Sequence, residues 1–414
     1  MRHSNKIHQR FSGRQWAVTI IVLAGLLAGC AQTNFLQPQE PVTIRFLVDS
    51  GSNAYMTNLL QTFNKKHPNI TVEFVNWRMG PGGGAMEESD VLAISQYQYD
   101  FLQEQDLIRD LNTLIAEDEK FDLNDFYPST VNAFSSEGQR WAIPLGANTL
   151  VMFYNKDLFD RSNTPYPTVG WTWDDFQNRA ISVSQVGGGT FGYAYHMMGN
   201  LGFLEPMTFV YQNGGQLFDN LQAPTRVTFN TPQTVEALAW YGRLISAYHV
   251  APGPGERAMP YPETGIENNQ FGMWMGWFSD ERRENWSIAP LPRGKANGSA
   301  MANVVGLVIN KDAQNTEACW EWVKFLSEQP MPGLIPARRS LAESAEYEAL
   351  VGADVAATGR ASIEDMLMMR FNLEGQLYQT WGKAMGALTS ALTAIRDGED
   401  AQTVLDAAQK QAGF

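Results

Sequence analysis

QRWAIPLGANTLVMFYNKDLF, residues 139 to 159, is apolar over most of its length and decides the architecture. It reads as two strands separated at Pro144 to Ala147, because proline cannot donate to a ladder and glycine weakens a strand interior. A break of this kind between two apolar strands suits a chain crossing from one domain to another. Upstream, VTIRFLVDSG reads as a strand ending in a small polar loop. YMTNLLQTFNKKHPN reads as a helix with Met56, Leu59, Leu60 and Phe63 on one side, stopped by Pro68. ITVEFVNW is a second, alternating strand, and a glycine-rich turn and a short acidic piece lead into a third at DVLAIS. Strands alternating with helices predict an α/β layer architecture with a largely parallel sheet.

Downstream the helix starts are explicit. TWDDFQNRAISV offers Thr172 as N-cap with Asp175 three residues on, and TPQTVEALAWYGRLISAYHV offers Thr231 as cap with Pro232 at the first helical position. FGMWMGW, WSIAPLP and NVVGLVIN read as further strands, and the tail from Ser362 onward as wholly helical. GGGTFG, Gly187 to Gly192, has the spacing of a dinucleotide loop. That loop needs a strand before it and a helix after it, whereas here the order is reversed, so it reads as a helix exit.

The start of the chain bears on compartment. Arg2, Lys6, Arg10 and Arg14 precede an apolar run from Trp16 to Ala28, with small residues before Cys30, the pattern of an export signal. The run is shorter than the roughly 20 apolar residues of a membrane-spanning helix. Leu27-Ala28-Gly29-Cys30 resembles the lipobox of bacterial lipoproteins, in which the cysteine carries lipid and becomes the new N-terminus. Residues 1 to 29 then form the signal peptide and 30 to 41, with two prolines and no periodicity, a tether. Removal of residues 1 to 29 takes four of the 30 basic residues and none of the 44 acidic ones, leaving 26 against 44 and a formal charge of −18. Such a surface repels nucleic acid and anionic lipid. Only Cys319 remains as a thiol, on a helical face with Trp322, Val323 and Leu326, and no disulfide is available within one mature chain. The remaining length exceeds what one core organises, so two domains are expected.

Residue chemistry narrows the function. Of the five histidines only His67, His196 and His249 lie outside the signal, far apart in sequence, and there is no HExxH, CxxC or GxSxG. A zinc site or serine triad is not indicated, and the Tyr195 to Met198 stretch, YHMM, reads as packing. Paired carboxylates of the glycosidase kind stay open, with Glu205 in FLEPM as the candidate, or else a carboxylate at a helix start before Pro206. Rings at strand ends point elsewhere. Trp274 and Trp277 in GMWMGWFSD, and Tyr97 and Tyr99 in SQYQYD, could stack on the C–H faces of a neutral sugar while nearby amides and carboxylates take its hydroxyls.

Taken in order, SDVLAIS with QEQDLIRDL, WAIPLGANTLVMFYNKDLF, TWDDFQNRA, FVYQNGGQLFD, FGMWMGW, IAPLPRG, VVGLVINKDAQNTEACWEWVKFL and IPARRSL make the chain similar to extracellular solute-binding proteins of ABC importers, family 1, the group that includes maltose and oligosaccharide binders. The resemblance implies a type II periplasmic-binding-protein fold: two α/β lobes, residues 42–146 plus about 303–335 and 147–302 plus about 336–414, joined by hinge strands around a ligand cleft. It implies a carbohydrate ligand, a membrane permease as partner, an exported monomer, no cofactor and no catalysis. Carried over residue by residue, the ligand positions are Ser50 and Gly51 after the first strand, Ser95 and Tyr97 after the third, Asn148 at the crossover, Glu205, Trp277 and Arg338. Met79 to Glu88 is richer in glycine than the family pattern and Met207 stands where maltose binders carry an aromatic residue, which argues against maltose itself. A surface polysaccharide-processing enzyme and a sensor on the same fold are the competing readings.

Overall fold

The computed structural model describes residues 40–48, 54–76, 86, 88–196, 199–220, 224–253, 262–368 and 376–413. Ser50, Gly51 and Cys30 therefore lie outside the described residues, as does most of the glycine-rich segment before the third strand. The chain opens as expected. Strand β1 (Val42–Val48) leads through the helix Ala54–Lys66 to β2 (Ile70–Asn76), which pairs with it in parallel, and β3 (Val91–Ser95) pairs in parallel on the other side. After a two-residue hairpin, β4 (Ser135–Ser136) and β5 (Gln139–Arg140), comes β6 (Ile143–Asn155). Then follow the helix Trp173–Ser184, β7 (Phe191–Ala194), the helices Gly199–Gln212 and Pro232–Ser246, β8 (Phe271–Trp277), β9 (Trp286–Ala289) and β10 (Ala300–Ile309). The helix Thr316–Ser327, β11 (Ile335–Pro336), the helix Ala353–Glu364, β12 (Met366–Leu367) and the helices Gln376–Arg396 and Ala401–Ala412 complete the chain.

The strands line up as β2-β1-β3-β10-β6-β8-β7, with β9 and β11 also on β6 and β12 on β10. The sheet is parallel towards its edges but antiparallel at its centre, where β10 runs against both β3 and β6; it is mixed rather than largely parallel. Two further expectations change. The stretch 139 to 159 contains one continuous long strand, not two, because the Pro144–Ala147 segment is absorbed as a register shift opposite Val305 and Gly306. Gly146 also serves close approach, since a Cβ there would lie 2.7 Å from the carbonyl oxygen of Ile335 in β11. The tail is not wholly helical either: Met366–Leu367 pairs with β10, and a pairing that short is set by its partner rather than by local sequence.

Local signals otherwise become structure directly. Thr172 and Asp175 form the expected capping box, with the Thr172 amide donating to Asp175 Oδ2 at 3.0 Å, and those hydrogen bonds hold the Asp175 carboxyl below its usual range. GGGTFG is a helix exit, with Gly187, Gly188 and Gly189 all at positive φ. Cys319 is fully buried beside Trp322 and Leu326, and burial pushes its thiol up to about 12.

Three cores form among the described residues. One packs the helices Ala54–Lys66 and Thr316–Ser327 onto the first strands, with Phe46, Phe63 and Trp322 edge to face. A second lies under the later helices, where Trp173 and Trp240 stack at 4.1 Å. The third runs along the opposite face of the sheet and contains residues from both halves, from Leu92 and Ile94 to Phe153 and Trp274.

Candidate functional site

Alternation along the two central strands explains where a ligand can sit. In β10, Met301, Val305, Leu307 and Ile309 share one face; Met301 belongs to the second-half core and the others to the first. Position 303 on that face is asparagine. In β6, Leu150, Met152 and Tyr154 face the second-half core, and the position before them on that face is Asn148. The two asparagines are direct partners in the ladder, so their side chains stand together. The register continues the argument: Ser95 pairs with Val305 and Trp277 with Leu150, which places both on the same face as the asparagines. A polar rung thus separates two apolar cores, flanked by the ends of β3 and β8.

On the first-half side, Asn303, Ser95 and Gln98 line a cavity of about 530 Å³, together with apolar groups such as Met56, Met86 and Leu334. Asn303 Oδ1 is buried and has no hydrogen-bond partner among the described residues, an arrangement that calls for a donor from elsewhere. Gln96, fully buried, fixes the strand around it: its Oε1 accepts from the Val304 amide at 2.6 Å and its Nε2 donates to the Ala302 carbonyl at 3.2 Å. The amide of Gln96 therefore continues the ladder past the end of β3 and holds both peptides next to Asn303.

On the second-half side, Trp277 is half-buried at the end of β8. The Asp280 carboxylate accepts the Trp277 amide at 2.7 Å. Partial burial raises the pKa of Asp280, against the pull of that amide and of His196. Asn148 Nδ2 donates to Ser279 Oγ at 2.8 Å and its Oδ1 accepts from the Ser279 amide at 3.1 Å, which ties the loop after β8 to the rung.

Ser95, Asn148 and Trp277 are thus brought together, and Tyr97 follows on the helix Gln96–Glu104, with 44% of its surface exposed. Trp274 and Tyr99 are not with them. Trp274 lies three residues from Trp277 and faces the other side of the strand, stacked on Phe153 at 5.6 Å, while Tyr99 is buried against Phe134. Glu205 does not stand at a helix start: Pro206 lies inside the helix Gly199–Gln212. The carboxylate of Glu205 is completely buried, accepting from Tyr241 Oη at 2.7 Å, from His196 Nδ1 at 3.1 Å and from the His196 amide at 3.2 Å. Burial and the neighbouring Glu205 charge keep the Tyr241 hydroxyl protonated, with its pKa well above the ordinary value. Arg338, which the expected boundaries assign to the second lobe, pairs with Asp125 at 3.4 Å and Ser327 at 3.1 Å and lies over the Phe126 ring at 4.4 Å. Its guanidinium is occupied within the first half. Asn303, Gln96, Gln98 and Asp280 were not singled out from sequence. Asn303 carried a readable signal, a lone amide inside the apolar run AMANVVGLVI. Among the described residues there is no cluster of three metal-ligating side chains.

Two α/β halves, each with an outer core of its own and a third core shared along continuous strands, with amides between the outer cores, define a solute-binding protein of the type II fold. The chain belongs to the family of bacterial extracellular solute-binding proteins, whose model matches residues 49–330; its members are exported binding proteins of ABC transporters rather than enzymes. Among curated relatives, the arabinooligosaccharide-binding protein of Bacillus subtilis (strain 168) is 23% identical over 339 residues, covering 74% of each chain. Among solved structures, the sugar-binding protein MalE of Xanthomonas citri superposes with a TM-score of 0.70 at 18% identity, over 89% of this chain and 96% of that one. An ABC substrate-binding protein of Listeria monocytogenes in complex with cycloalternan gives 0.67 at 20% identity, over 90% and 98%.

Proposed function

We propose that this protein is the lipid-anchored receptor of an ABC importer, binding a neutral carbohydrate on the Asn148–Asn303 rung and delivering it to the membrane permease. The observation that carries the reading is the buried, unpartnered Oδ1 of Asn303 in a cavity of about 530 Å³ beside Ser95 and Gln98. A sugar hydroxyl supplies the missing donor, and the half-buried Trp277 ring supplies a face for its C–H groups. The arabinooligosaccharide-binding and sugar-binding relatives agree with that chemistry. The acidic surface disfavours anionic solutes. Ser50, Gly51, Ser95, Tyr97, Asn148, Trp277 and Asn303 are the proposed ligand positions; Glu205 and Arg338 support the walls behind them. The lobes follow the two outer cores, and closure is driven by the ligand's greater affinity for the closed state. Lipid on Cys30 keeps the receptor near its permease and raises the effective concentration for docking.

The test is thermal unfolding of the mature chain across neutral sugars, polyols and sugar phosphates. A ligand at 1,000 times its Kd adds about 4 kcal/mol, a shift of several degrees. The expected result is a shift with neutral saccharides and an unchanged sugar afterwards. Stabilisation by sugar phosphates alone, or turnover of the sugar, would overturn the reading.

A further inference from the structure

We propose that the outward face of the helix Gln96–Glu104 is an outer saccharide subsite with Phe101 as its platform, so that the protein selects oligosaccharides over monosaccharides and polyols. This rests on the carbohydrate reading above. The helix buries Gln96, Tyr99 and Leu102, which turns Tyr97 and Phe101 away from the core. They are 44% and 48% exposed. Being four residues apart, they stand on one face with Cβ atoms roughly 5–6 Å apart, a step comparable to one pyranose unit of a saccharide chain. Neither ring stacks on another among the described residues. Tyr166, the remaining exposed aromatic among them, is accounted for by its hydrogen bond to Asp160 at 2.7 Å and its packing on Tyr154.

Continuity assigns the occupant. The helix begins at the cavity, since Ser95 and Gln98 line it, and the Ser95 amide donates to Gln98 Oε1 at 2.9 Å. A chain whose first unit occupies the Asn303 rung therefore leaves across Tyr97 and then Phe101. The helix QYQYDFLQE holds two carboxylates, three rings, of which Tyr99 is buried, and no basic residue. Rings beside carboxylates and amides suit a neutral polyhydroxylated chain and repel an anionic lipid surface.

The experiment is calorimetric titration of the mature chain with homologous neutral saccharides of one to five units, for the wild type, F101A and F101W. The wild type is expected to bind three or more units at least tenfold more tightly than one. F101A should lose about tenfold for those longer chains and less than twofold for the single unit, with F101W restoring the longer chains. Thermal unfolding without ligand should be unchanged, because Phe101 is exposed. Equal wild-type affinity at every length, or an F101A loss independent of length, overturns the subsite while leaving the carbohydrate reading intact. Unchanged binding by F101A with reduced uptake in cells also overturns it and gives the face to a protein partner. No binding of any saccharide removes the carbohydrate reading, and the subsite falls with it.

Discussion

Glu205 and Asn303 show how one polar residue in apolar surroundings takes opposite roles. Glu205 is enclosed by three donors from Tyr241 and His196, so its removal leaves buried polar groups unpaired. Glu205→Ala should lower the unfolding free energy by about 3 kcal/mol, and Glu205→Gln by about 1 kcal/mol, both read from urea midpoints. Loss of ligand binding without loss of stability would show that the carboxylate faces ligand instead. Asn303 is left with a free acceptor and gains its role from what it lacks. Sequence could mark both as polar residues among apolar ones. It could not show which had partners, because Tyr241, which bonds Glu205, lies 36 residues away and Gln96, which holds the Val304 amide beside Asn303, lies more than 200 away, and only the fold brings them near. Asn148 was carried over from the family resemblance, and the structure places it in β6 as the ladder partner of Asn303.

At the scale of elements, periodicity and caps located most helices and strands, including the helix begun by Thr172. The misreadings came from tertiary pairing. Pro144 and Gly146 break a strand in isolation, yet β10 and β11 on either side of β6 give its backbone partners enough to carry one irregularity. Met366–Leu367 has no strand signal of its own and is held by Ala300 and Met301. The helix Gln96–Glu104 carries a further consequence, because its first residue acts as a piece of strand. Gln96→Leu keeps the volume but leaves the Val304 amide and the Ala302 carbonyl unpaired. It should cost about 2–3 kcal/mol in chemical denaturation and weaken ligand affinity, since the peptides beside Asn303 lose their tether. A variant as stable as the wild type would contradict that placement.

Over the whole molecule, acidity sets how stability responds to pH. Hydrogen bonding from Lys324 lowers the Asp118 carboxyl, hydrogen bonds at Thr172 lower Asp175, and those from Thr225 bring Asp219 to about 2. Burial works against Asp125, but Ser340 and Arg338 more than compensate. Each group has a folded pKa below its unfolded value, so its contribution is complete above the unfolded pKa and is lost as pH falls through the folded one. Urea midpoints should hold steady from about pH 8 to 5 and drop below about pH 4; midpoints that stay level through that range would show that these carboxylates are not held below their unfolded pKa. Length led to an expectation of two domains and the alternation of strands and helices to an α/β architecture, but how distant parts of the chain share strands was beyond both. The first-half core draws on Phe46 and Phe63 from early in the chain and on Leu307, Ile309 and Trp322 from late in it. A ribosome must therefore make the chain as far as Ala337 before that core has all its members, and until then the emerging polypeptide has no finished unit to lock into place. For a protein that crosses a membrane before it works, lateness of this kind is useful: the order in which the strands are synthesised keeps the chain threadable.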